Sequence, residues 1–161
     1  IYDCPSINYN IKDGLKYLGN QDNPYLYLAG AVSTSISYAN IDGNCKFIGE
    51  GAFDGCISLK KIDIPSSVTY IYDWAFRGCT SLTTITLPEG LTIVERQIVS
   101  GCTSLKEINL PSSIQIIFEY AFENCTALEK INYNNTEDRW LSVQKIKDWD
   151  QNTGNYVVNC K

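Results

Sequence analysis

The sequence predicts an α/β solenoid, in which short parallel strands stack coil upon coil around one continuous core. The first observation behind this is a repeat: LKKIDIPSSVTYIYDWAFRGCTS from Leu59, LTTITLPEGLTIVERQIVSGCTS from Leu82 and LKEINLPSSIQIIFEYAFENCTA from Leu105 align without a gap, each 23 residues long. A fixed period between 20 and 50 residues marks solenoids, propellers and arrays, whose units bury their apolar faces only against one another. The second is the internal grammar of the unit, which opens on L-x-x-I-x-[IL] and closes on A-F-x-x-C. The third is that the frame runs on at both ends, as a weaker copy from Ile36 and a truncated LEKINY from Leu128, giving about five coils. A single domain over residues 1–161 is expected: an N-terminal β-hairpin cap at 1–35, repeats at 36–133 and a C-terminal helix–strand cap at 134–161.

Residues 1–35 lack the repeat. Leu15-Lys16-Tyr17-Leu18, the turn-forming run Gly19 to Pro24, and Tyr25 to Ala29 read as strand, turn, strand. Such a hairpin covers the first coil, since repeat arrays need atypical ends to stay soluble. In the first coil Ile36, Ala39, Ile41, Ile48, Ala52, Phe53 and Cys56 take the core positions.

Within each later coil the L-x-x-I-x-[IL] segment is a strand, and Pro65, Pro88 and Pro111 end three of them because proline has no ladder donor. A second apolar pair returns the chain: Val68 and Ile71, Leu91 and Val94, Ile114 and Ile117. The A-F-x-x-C segment then turns the corner as a short helical turn, which places Phe53, Phe76 and Phe122 in one core column. Ile98-Val99 breaks that column, so this coil is expected to be the least regular. Beyond Tyr133, Thr136 is placed to N-cap a helix through about Ile146 with Trp140, Val143 and Ile146 on its apolar face, and Tyr156 to Cys160 reads as a final strand.

Composition bounds the function. The 161 residues are 44% hydrophobic with a formal net charge of -5, a balance that argues against nucleic acid as the partner. No apolar run is long enough to span a membrane. Ile1-Tyr2-Asp3 is not a natural start, so the chain reads as mature or trimmed. Histidine is absent, which removes the commonest general base and the commonest metal ligand together. No catalytic cluster, cofactor site or metal site is expected.

At this point the residues carry a family resemblance. The pattern I-x-x-x-A-F-x-x-C-x-x-L-x-x-I-x-[IL]-P, found in Ile48–Asp63, Ile71–Pro88 and Ile117–Tyr133, resembles the BspA-type leucine-rich repeats, also called the Treponema pallidum type. The flanks GLKYLGNQDNPYLYLAGA and NNTEDRWLSVQKIKDWDQNTGNYVVNCK are similar to that family's caps, so the likeness covers about four fifths of the chain. It implies a right-handed leucine-rich-repeat solenoid. It further implies a secreted or cell-surface protein of a host-associated microbe, acting in adhesion or in binding host proteins such as those of the extracellular matrix. The family offers no catalytic residues to carry over, and its partners vary.

Three features remain as candidate sites. Cys56, Cys79, Cys102 and Cys125 stand one period apart and read as small buried residues, whereas Cys4, Cys45 and Cys160 lie off that ladder. A Cys4–Cys160 bridge is opposed by the length of the solenoid. The outward strand positions form two polar columns on the concave face: Tyr38, Lys61, Thr84, Glu107 and Lys130 beside Asn40, Asp63, Thr86, Asn109 and Asn132. These suit a protein partner. On the return segments an apolar outward column of Phe47, Tyr70, Ile93 and Ile116 stands beside Tyr72, Trp74, Phe118 and Tyr120, the composition of an interface. A homo-oligomer is left open. The leading expectation is a non-enzymatic protein-binding module, and the alternative is a stalk or scaffold segment with no ligand of its own.

Overall fold

The computed structural model describes residues 7–161, and in it the 23-residue period becomes two stacks of parallel strands. The N-terminal cap comes first, with β1 (Asn10–Lys12), β2 (Leu15–Leu18) and β3 (Tyr27–Ala31) paired antiparallel. The chain then alternates between two faces. The main face holds β4 (Tyr38–Asn40), β6 (Lys61–Asp63), β8 (Thr84–Thr86), β10 (Glu107–Leu110), β12 (Lys130–Tyr133) and β14 (Val157–Cys160). The return face holds β5 (Phe47–Ile48), β7 (Tyr70–Ile71), β9 (Ile93–Val94), β11 (Ile116–Ile117) and β13 (Gln144–Lys145), and β3 opens it by pairing parallel with β5.

Register follows the repeat. Glu107 pairs with Thr84 on one side and Lys130 on the other. The C-terminal cap adds β13 and β14 to the two faces, so the solenoid has six coils where the sequence suggested about five. Among the described residues helix is confined to α1 (Glu137–Ser142), which Thr136 caps by accepting from the Arg139 N–H at 3.4 Å. The helix stops short of Ile146 because Gln144 and Ile146 donate to the Gln115 and Ile117 carbonyls and thereby join the return face.

The core lies between the faces. Leu59, Leu82, Leu105 and Leu128 are buried, as are Ile62, Ile85, Ile108 and Ile131 from the strand centres. Each such side chain contributes roughly 1.5–3 kcal/mol by leaving water. Cys45 is buried at the place where later coils put Val68, Leu91 and Ile114. The corners are runs of turns and not helical turns, with Asp54 N–H donating to Gly51 O and Cys56 N–H to Phe53 O, both at 3.0 Å. Two positions per corner are left-handed: Gly51, Trp74, Gln97 and Tyr120 at φ between 51 and 60°, and Gly55, Gly78, Gly101 and Asn124 at φ between 57 and 74°. A Cβ added to Gly78 would stand in ordinary contact 3.7 Å from the Gly55 Cα, so it is the left-handed backbone angle that calls for glycine here.

One irregularity interrupts the stack. Both faces lose strand pairing between the same two coils, leaving β4–β6 apart from β8–β14 and β7 apart from β9. Lys60 N–H donates to Ser37 O and Lys106 N–H to Thr83 O, yet among the described residues the equivalent bond from Thr83 to Lys60 is absent. On the return face Thr69 bonds Lys46 and Gln115 bonds Thr92, while Thr92 has no such bond to Thr69. The corner ladder nevertheless runs through, with Phe76 N–H on Ile98 O at 2.9 Å and Val99 N–H on Ala121 O at 3.1 Å. The coil that replaces Ala-Phe by Ile98-Val99 is thus regular toward the next coil and unpaired toward the previous one.

Both ends of the core are closed. At the N-terminus Tyr17 is fully buried and its hydroxyl accepts the Asp42 N–H at 3.1 Å, while Lys12 pairs with Asp42 at 2.6 Å. At the C-terminus an aromatic lid forms, in which Trp149 lies edge-on to Phe122 at 5.4 Å, to Trp140 at 6.1 Å and to Tyr156 at 6.2 Å. Cys4 lies outside the described residues. No described helix is long and apolar enough to cross a membrane.

Candidate functional site

The strand pleat sends alternate residues outward, and the predicted polar columns lie on the main face, in register within β4–β6 and within β8–β14. Tyr38, Lys61, Thr84, Glu107 and Lys130 align in one, and Val157 of β14 extends it. Asn40, Asp63, Thr86, Asn109 and Asn132 align in the other, which Asn159 extends. Both additions were missed because the sixth coil carries no readable repeat.

The columns differ on the two sides of the unpaired junction. On the N-terminal side Asp63 accepts from the Tyr38 hydroxyl at 2.7 Å and from Lys61 at 3.1 Å. These bonds, Tyr38 first, hold the Asp63 carboxyl below the usual carboxylate range. A cavity of about 260 Å³ opens at the junction between Lys61, Asp63, Thr84 and Thr86. On the C-terminal side the column is an amide ladder. Asn159 donates to Asn132 at 3.0 Å, Asn132 to Asn109 at 2.8 Å and Asn109 to Thr86 Oγ1 at 2.9 Å. Asn132 also donates to Glu107 Oε1 at 2.6 Å. Side chains tied to one another in this way are pre-ordered, so a partner meets a polar surface with little freedom left to lose.

Beside the amide ladder, where the strands end, lies a groove of about 510 Å³. Its floor is apolar, from Leu87, Leu110, Tyr133 and the prolines Pro88 and Pro111, and the Asn109–Asn132–Asn159 row is one wall. Glu89 and Asn134 stand on the other, with Lys161 at the sixth-coil end. Glu89 accepts from Asn134 Nδ2 at 2.5 Å and from Ser112 Oγ at 3.0 Å and N–H at 3.2 Å. The Asn134 amide above all, then Ser112, holds its carboxyl below the usual range against the opposing pull of burial. Glu89 escaped the sequence reading. Its signal was there: Pro-Glu-Gly interrupts the Pro-Ser-Ser of Pro65 and Pro111.

On the return face Phe47 and Tyr70 are registered with each other, as are Ile93 and Ile116, each in an extended strand, and the unpaired junction lies between the two pairs. This outward column is half-buried along its length, and of the flanking aromatics only Tyr72 passes into the exposed range, at 41%. Tyr72 packs against Tyr70 at 4.7 Å and Tyr27 at 6.2 Å, which accounts for part of the cover. Trp74 and Tyr120 sit at left-handed φ of 60°, and Phe118 and Tyr120 are half-buried. The Arg77 guanidinium lies over the Trp74 ring at 5.2 Å while pairing with Asp54.

The cysteine ladder is buried, and Cys79, Cys102 and Cys125 donate to the Phe53, Phe76 and Val99 carbonyls at 3.3, 3.1 and 3.2 Å. Burial pushes the Cys56 and Cys125 thiols up to about 12. Among the described residues, no group of three or more His, Cys, Asp or Glu side chains is placed to hold a metal ion.

Known proteins share this architecture. A leucine rich cell surface protein of Faecalibacterium prausnitzii matches at 27% identity and a TM-score of 0.60, covering 84% of this chain and 42% of its own. This chain therefore spans less than half of that protein's length. The T. pallidum leucine rich repeat protein matches at 20% identity and a TM-score of 0.65, covering 94% of this chain and 85% of its own. A leucine-rich repeat protein of Eubacterium ventriosum matches at 19% identity and a TM-score of 0.55, over 91% of this chain and 50% of its own. The last two likenesses concern the fold alone. No curated relative matches the chain. The BspA type leucine rich repeat region matches residues 31–145 in six copies, and the chain belongs to that family.

Proposed function

We propose that this chain is a non-enzymatic recognition module of a secreted or cell-surface protein, and that it binds a protein partner through the main face. One observation carries the reading: two outward columns, polar but for Val157, stand in register from β8 to β14 of the main face, and hydrogen bonds between those coils hold much of one column in place. Such a face offers charged and amide groups at fixed spacing, which is what polar complementarity with a folded protein needs. The F. prausnitzii protein, named for the cell surface, supports the location. The half-buried return column is a lesser surface, suited to contact between copies of the chain.

A panel of purified host extracellular matrix and surface proteins, immobilised and probed with this chain, tests the reading. Saturable capture of a panel member, lost in a Lys61→Glu, Lys130→Glu variant of unchanged melting temperature, is the expected result. A chain that captures nothing would favour the second reading, a stalk or scaffold segment. That reading draws on the same hydrogen bonds, because rungs that satisfy one another also stiffen a spacer.

A further inference from the structure

We propose that the solenoid carries a hinge between its second and third coils, with the corner as its axis, so that the two parts of the main face swing toward and away from each other. The hinge is a property of the chain alone and stands or falls apart from the protein-recognition reading.

Three sides of the junction are open. On the main face, among the described residues, no backbone or side-chain hydrogen bond joins β6 to β8, and the cavity of about 260 Å³ lies between them. On the return face β7 and β9 are unpaired. The turn between the faces is open too, and the sequence supplies the reason. Ser67 Oγ donates to the Cys45 carbonyl at 2.8 Å and Ser113 Oγ to the Leu91 carbonyl at 2.6 Å, each tying its turn to the coil before. Gly90 stands at that place in the third coil and has no hydroxyl to offer Val68. Its neighbour Glu89 bonds forward to Ser112 and Asn134, so the third coil is held by the fourth and fifth.

The fourth side is closed. Along the corner the Trp74, Phe76 and Gly78 N–H groups donate to the Arg96, Ile98 and Ser100 carbonyls at 3.1, 2.9 and 2.8 Å. Cys102 adds its thiol contact to the Phe76 carbonyl, and the Tyr70 hydroxyl donates to Glu95, the residue by which β9 enters the corner. Two bonded blocks joined along one line rotate about that line, which is the geometry of a hinge. The ladder bonds that would oppose rotation are missing, so small openings cost little. Ile62 and Ile85 set the limit, since a wide opening would bring these core side chains into water. Rotation changes the step from Lys61 and Asp63 to Thr84 and Thr86 while the Tyr38–Asp63 bond and the amide ladder ride along intact. The main face thus has rigid halves and an adjustable curvature.

Residual dipolar couplings of the backbone amides in a dilute aligned medium test the hinge on the unmodified chain. Expected are couplings that fit the structure within residues 10–71 and within residues 84–160 taken separately, with alignment magnitudes that differ between the two and a joint fit that fails. Spin labels then place the axis. Carried on p-acetylphenylalanine, so that the native thiols stay unmodified, they are set at exposed positions three periods apart: Ser37 with Lys106 beside the main face, and Ile57 with Thr126 beside the corner. Melting temperatures establish that the labelled chains are folded. The distance distribution of the main-face pair is expected to be on the order of twofold broader than that of the corner pair, because displacement grows with distance from the axis. One alignment tensor that fits both blocks would overturn the hinge. Label pairs of equal breadth would overturn the corner as its axis, and the proposal with it.

Discussion

The Cys102 thiol donates to the Phe76 carbonyl at 3.1 Å, one coil back and inside the corner. Cys79 and Cys125 repeat the contact in their own coils, so the thiols serve as small apolar residues with one weak donor each. Burial and the neighbouring Cys79 hold the Cys56 thiol at about 12, and burial holds Cys125 there as well. All four ladder thiols are buried, and on that ground they are expected to resist a thiol reagent at pH 8 in the native state and to react at once in guanidinium. Native labelling of any of them within minutes would contradict this. The sign of the linkage adds a second test. Above the ordinary thiol range the unfolded chain releases protons that the folded one keeps, so stability should fall as pH rises toward 12.

Glu95 titrates in a different sense from most surface carboxylates. Burial, and then the charge of nearby Asp73, raises its pKa even though the Tyr70 hydroxyl donates to it. A carboxyl with a raised folded pKa contributes fully below its unfolded pKa, and that contribution is lost as pH rises through the folded value. Glu95→Gln keeps an oxygen for Tyr70 and removes the charge. Its melting temperature should exceed the parent's by a few degrees at pH 7 and equal it at pH 3. A lower value at pH 7 would show that the ionised form is the favoured one.

The aromatic lid makes the last coils depend on one ring. Trp149 touches Phe122, Trp140 and Tyr156, and its carbonyl accepts the Phe122 N–H at 2.9 Å. Trp149→Ala should cost about 2–3 kcal/mol, below the usual range for a fully buried ring because Trp149 is half-buried. In a solenoid the loss stays near its origin. Hydrogen exchange should show β13 and β14 losing protection while β4 and β6 keep theirs. Uniform loss along the chain would mean that the coils unfold as one unit.

These contacts differ in how far the sequence foretold them. A strict period states which positions stack, since each residue falls in the same place as the one 23 positions on, and Phe53, Phe76 and Phe122 were placed in one core column on that ground. The sixth coil was hidden because its step around α1 is longer and its corner lacks A-F-x-x-C, which left Val157 and Asn159 unassigned to the polar columns. The groove was hidden for a different reason. Its walls come from coils three to six, and Asn134 reaches Glu89 across an intervening coil, a relation that no spacing within one repeat expresses. The corner was misjudged as helical because A-F-x-x-C has helical spacing, while the left-handed residues just before it and within it, such as Gly51 and Gly55, permit only turns.

Ile98-Val99 was expected to loosen its coil, and the structure narrows the effect to one junction. Phe53 stacks on Phe76 at 5.5 Å with ring planes 17° apart, whereas Val99 follows Phe76 in the third place of that column. Ile98 meanwhile brings a branched side chain to the place held by Ala75 and Ala121, beside a corner whose hydrogen bonds remain intact. A corner kept at normal spacing and filled differently can hold while the strands beyond it part. The amides of Thr83 and Thr92, lacking the cross-coil bonds of Lys106 and Gln115, should exchange faster than those counterparts by at least tenfold, a difference of roughly 1.4 kcal/mol in opening. Substitution separates the two residues. Val99→Phe alone should overpack and cost about 1–3 kcal/mol, and Ile98→Ala alone should leave a cavity and cost about 2–4 kcal/mol. The double variant restores Ala-Phe at similar total volume. It should fall within about 1.5 kcal/mol of the parent, with Thr83 and Thr92 slowed to the exchange rates of their counterparts. If the double variant is as unstable as the sum of the single ones, or if Thr83 still exchanges fast in it, the open junction has its origin elsewhere than in this corner.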